Sequence, residues 1–449
     1  MGRMFGTDGV RGIAGSELDI SLAMKIGLAA TQTVREATGN KTPKFLIGKD
    51  TRRSSDMLEA AVAAGICEAG GDAVVLGVVP TPAVAYLTKE LGFDAGIMIS
   101  ASHNPFEYNG IKLFGADGCK LMDSEEDEIE KIIREGKEKG FTGGDIGTVK
   151  RDDDAVECYI KHIMSASEGL SGLKIALDCA NGSSSRTAAK LFSGLGAKYE
   201  LFNSDPNGVN INDGVGSTHI GFLKQVMRSG KYDIGFAFDG DADRCIAVDE
   251  RGEEIDGDAE MAVLALAMKE QGKLINNGFV ATVMSNIGLH RFAEQNRIEL
   301  GISAVGDRYA LEMMKEQGKV LGGEQSGHII CLEHMTTGDG QLTAVLFADR
   351  MKKTGKKASE LAGVMKKYPQ AMKNIKADAE MKERYKKSED LKSVISELEK
   401  KLGDGRILVR PSGTEPLIRV MAEGIDMKTV DEVVDECVKE IERHLKKQL

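Results

Sequence analysis

Short apolar runs alternate with amphipathic stretches from the start of the chain to about residue 370. "KFLIGKD" (44–50), "DAVVLGVV" (72–79), "AGIMIS" (95–100), "LKIALDCANG" (173–182), "DIGFAFDGD" (233–241) and "FVATVMSN" (279–286) have the length and near-continuous apolar character of buried strands. Between them lie segments such as "DMLEAAVAAGICEAGG" (56–71), with apolar residues at helical spacing and glycines suited to a helix C-terminus. Strand and helix alternating at this spacing predict α/β layers with largely parallel sheets, whose ligands gather at the carboxyl ends of the strands.

Polar interruptions mark the boundaries. "REGKEKGFTGGDIGTVKRDDD" (134–154) reads as a linker. "VDERGEEIDGD" (248–258) reads as a hairpin turn followed by a helix start, and "KKYPQAMKNIKAD" (366–378) closes a third unit. The pattern then changes to a charged helix, "SEDLKSVISELEKKLG", and two short strands around a Pro/Gly loop in "RILVRPSGTEPLIRVMAEG". The last segment places Val430, Val433, Val434, Cys437, Val438 and Ile441 on one helical face. This end is expected to be an antiparallel α+β unit. The expected boundaries are 1–152, 153–254, 255–368 and 369–449.

At 449 residues the chain is too long for one core, and roughly 150 residues per domain gives three or four domains. Tryptophan is absent, so the cores must be built from aliphatic residues and the 20 methionines. A net charge of −11 argues against nucleic-acid or anionic-membrane binding, which needs a concentrated basic surface. No apolar run approaches the roughly 18 residues of a membrane span. Seven cysteines without a C-x-x-C pair suit a reducing compartment. The opening "MGRMFGTDGV" has no apolar signal region, so a cytoplasmic location is expected.

The strongest chemical signal is "DGDADR" (239–244), which ends an apolar strand on Asp239, Asp241 and Asp243. Three hard oxygen donors without nearby His or Cys suit Mg²⁺, which characteristically recruits a phosphate. An EF-hand loop also begins D-x-D-x-D, but Arg244 stands where its sharp turn needs glycine, and a strand precedes it where a helix should. A solvated acidic turn is the plain alternative. "RPSGTEPLIR" (410–419) offers two arginines, two hydroxyls and exposed amides, the donors of an anion grip or of an ordinary turn. "GEQSGH" (323–328) supplies Glu324, Ser326 and His328 for sugar hydroxyls or an amine, or simply a glycine-stabilised turn. Lys49, Arg52 and Arg53 in "GKDTRRS" read by default as surface pairs.

In "AGIMISASHNPFEYNGIKLF" (95–114), Ser102 reads alone as a helix cap. Its neighbour His103 would point to the opposite side on a strand-like segment, and no G-x-S-x-G elbow surrounds it. The aspartate triplet adds another reading, in which a phosphorylated Ser102 gives an oxygen to the same Mg²⁺ and Lys112 or His103 handles the proton of an attacking hydroxyl. Four units, each with a polar loop, suggest one shared cleft.

Together "GTDGVRG", "ISASHNP…NGIK", "DGDADR", "GEQSGH" and "RPSGTEPLIRVM", in that order from residue 6 to residue 421, resemble the α-D-phosphohexomutases. The resemblance implies four domains around a central cleft, three of them related α/β domains with mixed, largely parallel sheets, and a C-terminal α+β domain. It implies that Ser102 is a phosphoserine, and that Ser102, Asp239, Asp241 and Asp243 hold Mg²⁺. Arg11 and Arg244 would steady the transferring group, Lys112 would be the acid/base, and His103 would assist. Glu324, Ser326 and His328 would read the sugar, while Arg410, Ser412, Gly413, Thr414 and Arg419 would hold the phosphate not in transfer. "MFGTDGVRG", "VGDRY" (305–309) and "RPSGTEPLIRVMAEG" look most like bacterial members acting on glucosamine phosphates. These interconvert glucosamine 6-phosphate and glucosamine 1-phosphate through glucosamine 1,6-bisphosphate, for UDP-N-acetylglucosamine synthesis, and are often homodimers. Mannose or glucose phosphates are the alternative substrates. A metal-dependent sugar phosphatase and a non-catalytic sensor are the more distant readings.

Overall fold

In the computed structural model, residues 3–6, 8–412 and 416–446 are described. They pack as two compact units, one of residues 1–284 with 298–364, the other of residues 285–297 with 365–449.

The first unit contains three sheets. The first is built from β1 (Val10–Ile13), β2 (Lys44–Lys49), β3 (Asp72–Val78), β4 (Ala95–Ile99), β5 (Tyr108–Gly115) and β6 (Val149–Arg151), in the order β1-β5-β4-β2-β3-β6. Helices α1 (Ile20–Thr38), α2 (Arg53–Glu68), α3 (Thr81–Glu90) and α4 (Asp123–Glu135) accompany it. Helices α1 and α2 approach closely because both contact points are glycine. A Cβ on Gly65 would lie 2.0 Å from the carbonyl oxygen of Met24, and one on Gly27 would lie 2.4 Å from that of Val62.

The second sheet follows α5 (Val156–Met164) and has the order β11-β10-β9-β7-β8. Its strands are β7 (Lys174–Asp178), β8 (Lys198–Phe202), β9 (Ile234–Phe238), β10 (Cys245–Asp249) and β11 (Glu254–Ile255), joined in part by α6 (Ser184–Gly194) and α7 (Gly221–Met227). Helix α8 (Gly257–Glu270), capped by Asp256, leads into the third sheet. That sheet runs β13-β12-β14-β15, with β12 (Gly278–Thr282), β13 (Glu299–Ser303), β14 (Leu321–Gly323) and β15 (Ile329–Cys331). Its later helices are α9 (Ile287–Gln295), α10 (Asp307–Gln317), α11 (Gly340–Thr354) and α12 (Ala358–Ala362), of which α9 packs in the second unit.

One plan repeats three times. Parallel strands end on an antiparallel hairpin: β4 with β5, β9 with β10, β14 with β15. The connections of these hairpins are the loops that carry Ser102, the aspartate triplet and "EQSGH". Strands β4 and β9 are buried along their whole length, which explains their unbroken apolar sequences.

The second unit is an antiparallel sheet, β16-β18-β17, formed by β16 (Gln370–Lys376), β17 (Arg406–Pro411) and β18 (Leu417–Glu423). Helices α13 (Ala379–Lys387), α14 (Glu389–Glu399) and α15 (Met427–Lys446) complete it. Val430, Val433, Val434, Cys437 and Ile441 are buried and Val438 packs partly against them, as the spacing predicts. Asn286, the cap of α9, donates to the Tyr368 carbonyl (3.0 Å) and to Glu423 Oε1 (3.1 Å), and the Ile287 amide donates to Glu423 Oε2 (3.1 Å).

Two expectations need correction. The stretch 134–154 holds the end of α4 and a strand, β6, paired in parallel with β3; every β6 residue is exposed, so no apolar signal marked it. Likewise "QAMKNIK" inside 366–378 is a third strand of the C-terminal sheet, mostly polar because it is only partly covered.

Candidate active site

Ser102 lies in the turn between β4 and β5, not at a helix start, so the cap reading fails. Its φ is +54°, in the left-handed region that a non-glycine residue adopts only when its surroundings hold it there. This bend also overturns the expectation that His103 faces away, because Ser102 Oγ and His103 Nδ1 are 3.3 Å apart. Ser102 is buried and its hydroxyl donates to Asp239 Oδ2 at 2.7 Å.

The aspartates sit in the corresponding turn of the second sheet, sharpened by Ala242 at φ +56°. Asp239, Asp241 and Asp243 are buried, each offering a carboxylate oxygen within 4.8 Å of the others. Asp241 Oδ2 accepts from Lys112 Nζ (2.8 Å) and Thr81 Oγ1 (2.6 Å). Asp241 Oδ1 and Asp243 Oδ1 are buried without a hydrogen-bond partner. Orphaned buried carboxylate oxygens are costly, and a hard cation satisfies them. The donor set therefore fits a divalent metal site.

The electrostatics agree. Burial, reinforced by Asp243 and Asp241, pushes the Asp239 carboxyl well above the ordinary carboxylate range. Burial acts upward on Asp243 too, but Lys112, His328 and Arg244 outweigh it and hold that carboxyl well below the range. Burial works against the Lys112 charge, yet Asp241, Asp8 and Asp243 raise its ammonium above the usual value. His103 falls to about 4 through burial and the nearby Arg244 and Arg11, so its imidazole is neutral. The Arg244 guanidinium donates from Nη1 to His103 Nδ1 at 3.1 Å.

Arg11, on β1, pairs with Asp8. Asp8 also meets Lys112 at 3.1 Å and pairs with Lys120, whose Nζ reaches Asp307 Oδ2 at 2.6 Å. The Nε atoms of Arg11 and Arg244 are buried without hydrogen-bond partners, leaving two charged donors for an oxyanion.

In the third turn, Glu324 Oε1 accepts from the Gly306 amide (2.9 Å) and Ser326 is exposed beside it. His328 turns the other way. It is buried between Asp243 and Asp307, 3.6 Å from each, and its Nε2 accepts from the Gly338 amide.

In the second unit, Arg410 and Arg419 stand opposite each other across the β17–β18 ladder. The Ser412 amide donates to the Leu417 carbonyl at 2.9 Å, and Gly413 and Thr414 lie outside the described residues.

Sequence reading missed Asp8, Thr81, Lys120, Asp307 and Asn212 altogether. It also misplaced two cations: Lys49 is buried against Asp56 and Glu59, and Arg52 is wholly buried beneath the Ser102 turn, while Arg53 is exposed. The acidic residues of "GTDGVRG" and "VGDRY" were the available signal, since each motif carries a carboxylate beside a cation.

Comparison with known proteins gives a consistent result. Residues 2–140, 157–252 and 256–368 match alpha/beta/alpha domains I, II and III of phosphoglucomutase/phosphomannomutase, and residues 350–440 match its C-terminal domain. A phosphoglucosamine mutase of Acetivibrio thermocellus is 50% identical over 449 residues, covering 99% of this chain and 100% of the relative. One of Caldanaerobacter subterraneus subsp. tengcongensis is 51% identical over 448 residues, with the same coverage. Among solved structures, a phosphoglucomutase/phosphomannomutase family protein of Burkholderia thailandensis superposes with a TM-score of 0.83 at 23% identity, over 99% of this chain and 98% of that one. Aspergillus fumigatus N-acetylphosphoglucosamine mutase, in complex with GlcNAc-6P and magnesium, gives 0.70 at 17% identity, over 98% and 96%.

Proposed function

The chain belongs to the phosphoglucomutase/phosphomannomutase family, and on that premise we propose that it interconverts glucosamine 6-phosphate and glucosamine 1-phosphate for UDP-N-acetylglucosamine synthesis. Ser102 is the phosphoryl carrier. The observation that carries this reading is the Ser102 hydroxyl, 2.7 Å from Asp239 at the edge of a carboxylate cluster with two orphaned oxygens.

Asp239, Asp241 and Asp243, with an oxygen of the phosphorylated Ser102, hold Mg²⁺. When bound, the ion neutralises the phosphoryl charge that develops in transfer. Arg11 and Arg244 offer to the same group Nε donors that have no hydrogen-bond partner, that of Arg244 lying 3.9 Å from Asp243 Oδ1. The bond from phosphorus to Ser102 Oγ breaks as a bond to the free sugar hydroxyl forms, giving glucosamine 1,6-bisphosphate. Lys112 holds its proton in the free protein, the state an acid needs to protonate the departing Ser102 oxygen. Neutral His103, beside Ser102, takes the proton that the attacking sugar hydroxyl gives up. The bisphosphate then presents its other end, and the second phosphoryl returns to Ser102.

Glu324 and Ser326 read the sugar, while His328, buried 3.6 Å from Asp243, fixes the base of that turn. Arg410, Ser412, Gly413, Thr414 and Arg419 grip the phosphate that is not in transfer, and serve both orientations. The proposed domains are 1–152, 153–254, 255–368 and 369–449. We place the protein in the cytoplasm, as a homodimer without nucleic-acid or membrane partners. Among the described residues no helix is long and apolar enough to cross a membrane.

The test is phosphorus NMR on Mg²⁺-loaded protein primed with a trace of sugar bisphosphate, with glucosamine, mannose and glucose 6-phosphates competing in one tube. Fastest growth of the glucosamine 1-phosphate signal is expected. Faster turnover of mannose or glucose phosphate replaces the substrate, and inorganic phosphate alone sinks the mutase reading. Ser102→Ala should abolish turnover without loss of fold.

A further inference from the structure

We propose that Arg52 is the positioning residue of the phosphoryl-carrying turn, setting the direction of Ser102 by gripping the backbone on which it stands. The proposal rests on the reading of Ser102 as the carrier.

Arg52 lies between β2 and α2, in a segment that is polar throughout. Its side chain is fully buried, which is rare for arginine and needs a partner for every donor. All five guanidinium protons are placed. Nε donates to Asp50 Oδ2 at 2.8 Å. Nη2 donates to the carbonyls of Ser102 (2.9 Å) and Asn104 (2.8 Å). Nη1 donates to the Tyr108 carbonyl (3.0 Å) and to that of Pro105. One planar fork thus collects four carbonyls of a seven-residue turn, from 102 to 108. A lysine, with one nitrogen, cannot span them.

Asp50 completes the device from the other side. Its Oδ2 accepts from Ser100 Oγ at 2.6 Å, and Ser100 Oγ accepts in turn from the Ser102 amide at 2.9 Å. Both backbone groups of Ser102 therefore lead back to the Asp50–Arg52 pair. Ser55 Oγ and the Arg52 amide fix the second Asp50 oxygen. Such a grip sustains the left-handed φ of Ser102, which a non-glycine residue does not hold on its own. It also aims Oγ at Asp239. Asn212, from the second sheet's half of the unit, adds its amide to the Ser102 (2.9 Å) and Asn104 (3.1 Å) carbonyls. The turn is held by donors from both sides of the site while its hydroxyl remains available.

Arg52→Lys keeps the charge beside Asp50 and loses the fork. Steady-state kinetics should show kcat falling about 100-fold with KM for the sugar phosphate within about twofold, because substrate is bound elsewhere and only the reacting oxygen is misplaced. Asn212→Gly, which suits the left-handed φ of that position, should lower kcat by about tenfold with the same unchanged KM. It serves as well if the lysine variant does not fold. Mass spectrometry of Ser102 after exposure to sugar bisphosphate separates the two readings. A parent protein that never carries phosphate there overturns the carrier role and this proposal with it. A phosphorylated parent whose Arg52→Lys and Asn212→Gly variants keep kcat within about threefold overturns the positioning role alone. So does a kcat loss that only follows a lost folded fraction in circular dichroism.

Discussion

Asp339 gives the sharpest pH test of the first unit. It caps α11, with Oδ1 accepting from the Leu342 amide at 2.9 Å, and Oδ2 accepts from the Tyr159 hydroxyl at 2.9 Å. Burial lifts its carboxyl from the ordinary 3.8 to about 7, despite those donors, with Asp243 adding to the rise. In the unfolded chain it loses its proton near 3.8, whereas in the folded chain it holds the proton to about 7. Folded protein therefore binds more protons in that window, and stability falls as pH rises through it. At 1.36 kcal/mol per pH unit the gap amounts to about 4 kcal/mol, accrued by about pH 7 and constant above it. Asp339→Asn preserves the cap, since Asn and Asp serve equally there, and cannot ionise. Turning the Tyr159 hydroxyl toward an amide costs about 1 kcal/mol. The variant should thus be about 3 kcal/mol more stable than the parent at about pH 8, and slightly less stable at about pH 4. Urea unfolding followed by circular dichroism, with chelator present throughout, measures the difference, in which titrating groups that do not interact with Asp339 cancel. A difference that does not change with pH would refute the reasoning, as would a variant less stable at the alkaline end.

Two further outcomes follow from packing and charge. Gly65→Ala forces apart α1 and α2, because the added carbon would meet the Met24 backbone rather than a yielding side chain; a loss of about 2–3 kcal/mol in urea unfolding is expected, and an unchanged midpoint would contradict it. Lys120→Met takes from Asp307 its 2.6 Å cation while Asp8 keeps Arg11 and Lys112, so a loss of about 1–3 kcal/mol at neutral pH is expected, and an unchanged midpoint would contradict it.

The repeated hairpin plan was legible because β4 and β9 are buried on both faces, so their ends coincide with an abrupt change from apolar to polar residues. Asp239, Asp241 and Asp243 stood out for the same reason. Arg52 did not, because "DTRRS" looks locally like any charged surface turn, and its burial is decided by carbonyls some fifty residues further along the chain. Asp8 and Asp307 were hidden in the same way: their partner Lys120 belongs to neither of their motifs. Strand β6 was missed because an exposed edge strand has no apolar face to betray it. Ser102 was readable as a candidate only through residues outside its own segment, since its φ is fixed by Asp50, Arg52 and Asn212 rather than by its neighbours.

The packing of α9 bears on how such a chain can be inherited in parts. Residues 285–297 arise between two strands of the third sheet, yet they belong with residues 365–449, tied by Asn286 and Ile287 to Glu423 and closed on the Lys366 carbonyl, which a Cβ on Gly288 would approach to 2.0 Å. A chimaera that takes its C-terminal part from a relative at residue 369 inherits a foreign partner for a helix it has kept. Recombination at that point should succeed only between parents that agree at both places, or when the helix travels with the tail. Genetic exchange thus sees two coupled segments where a linear map draws a single junction.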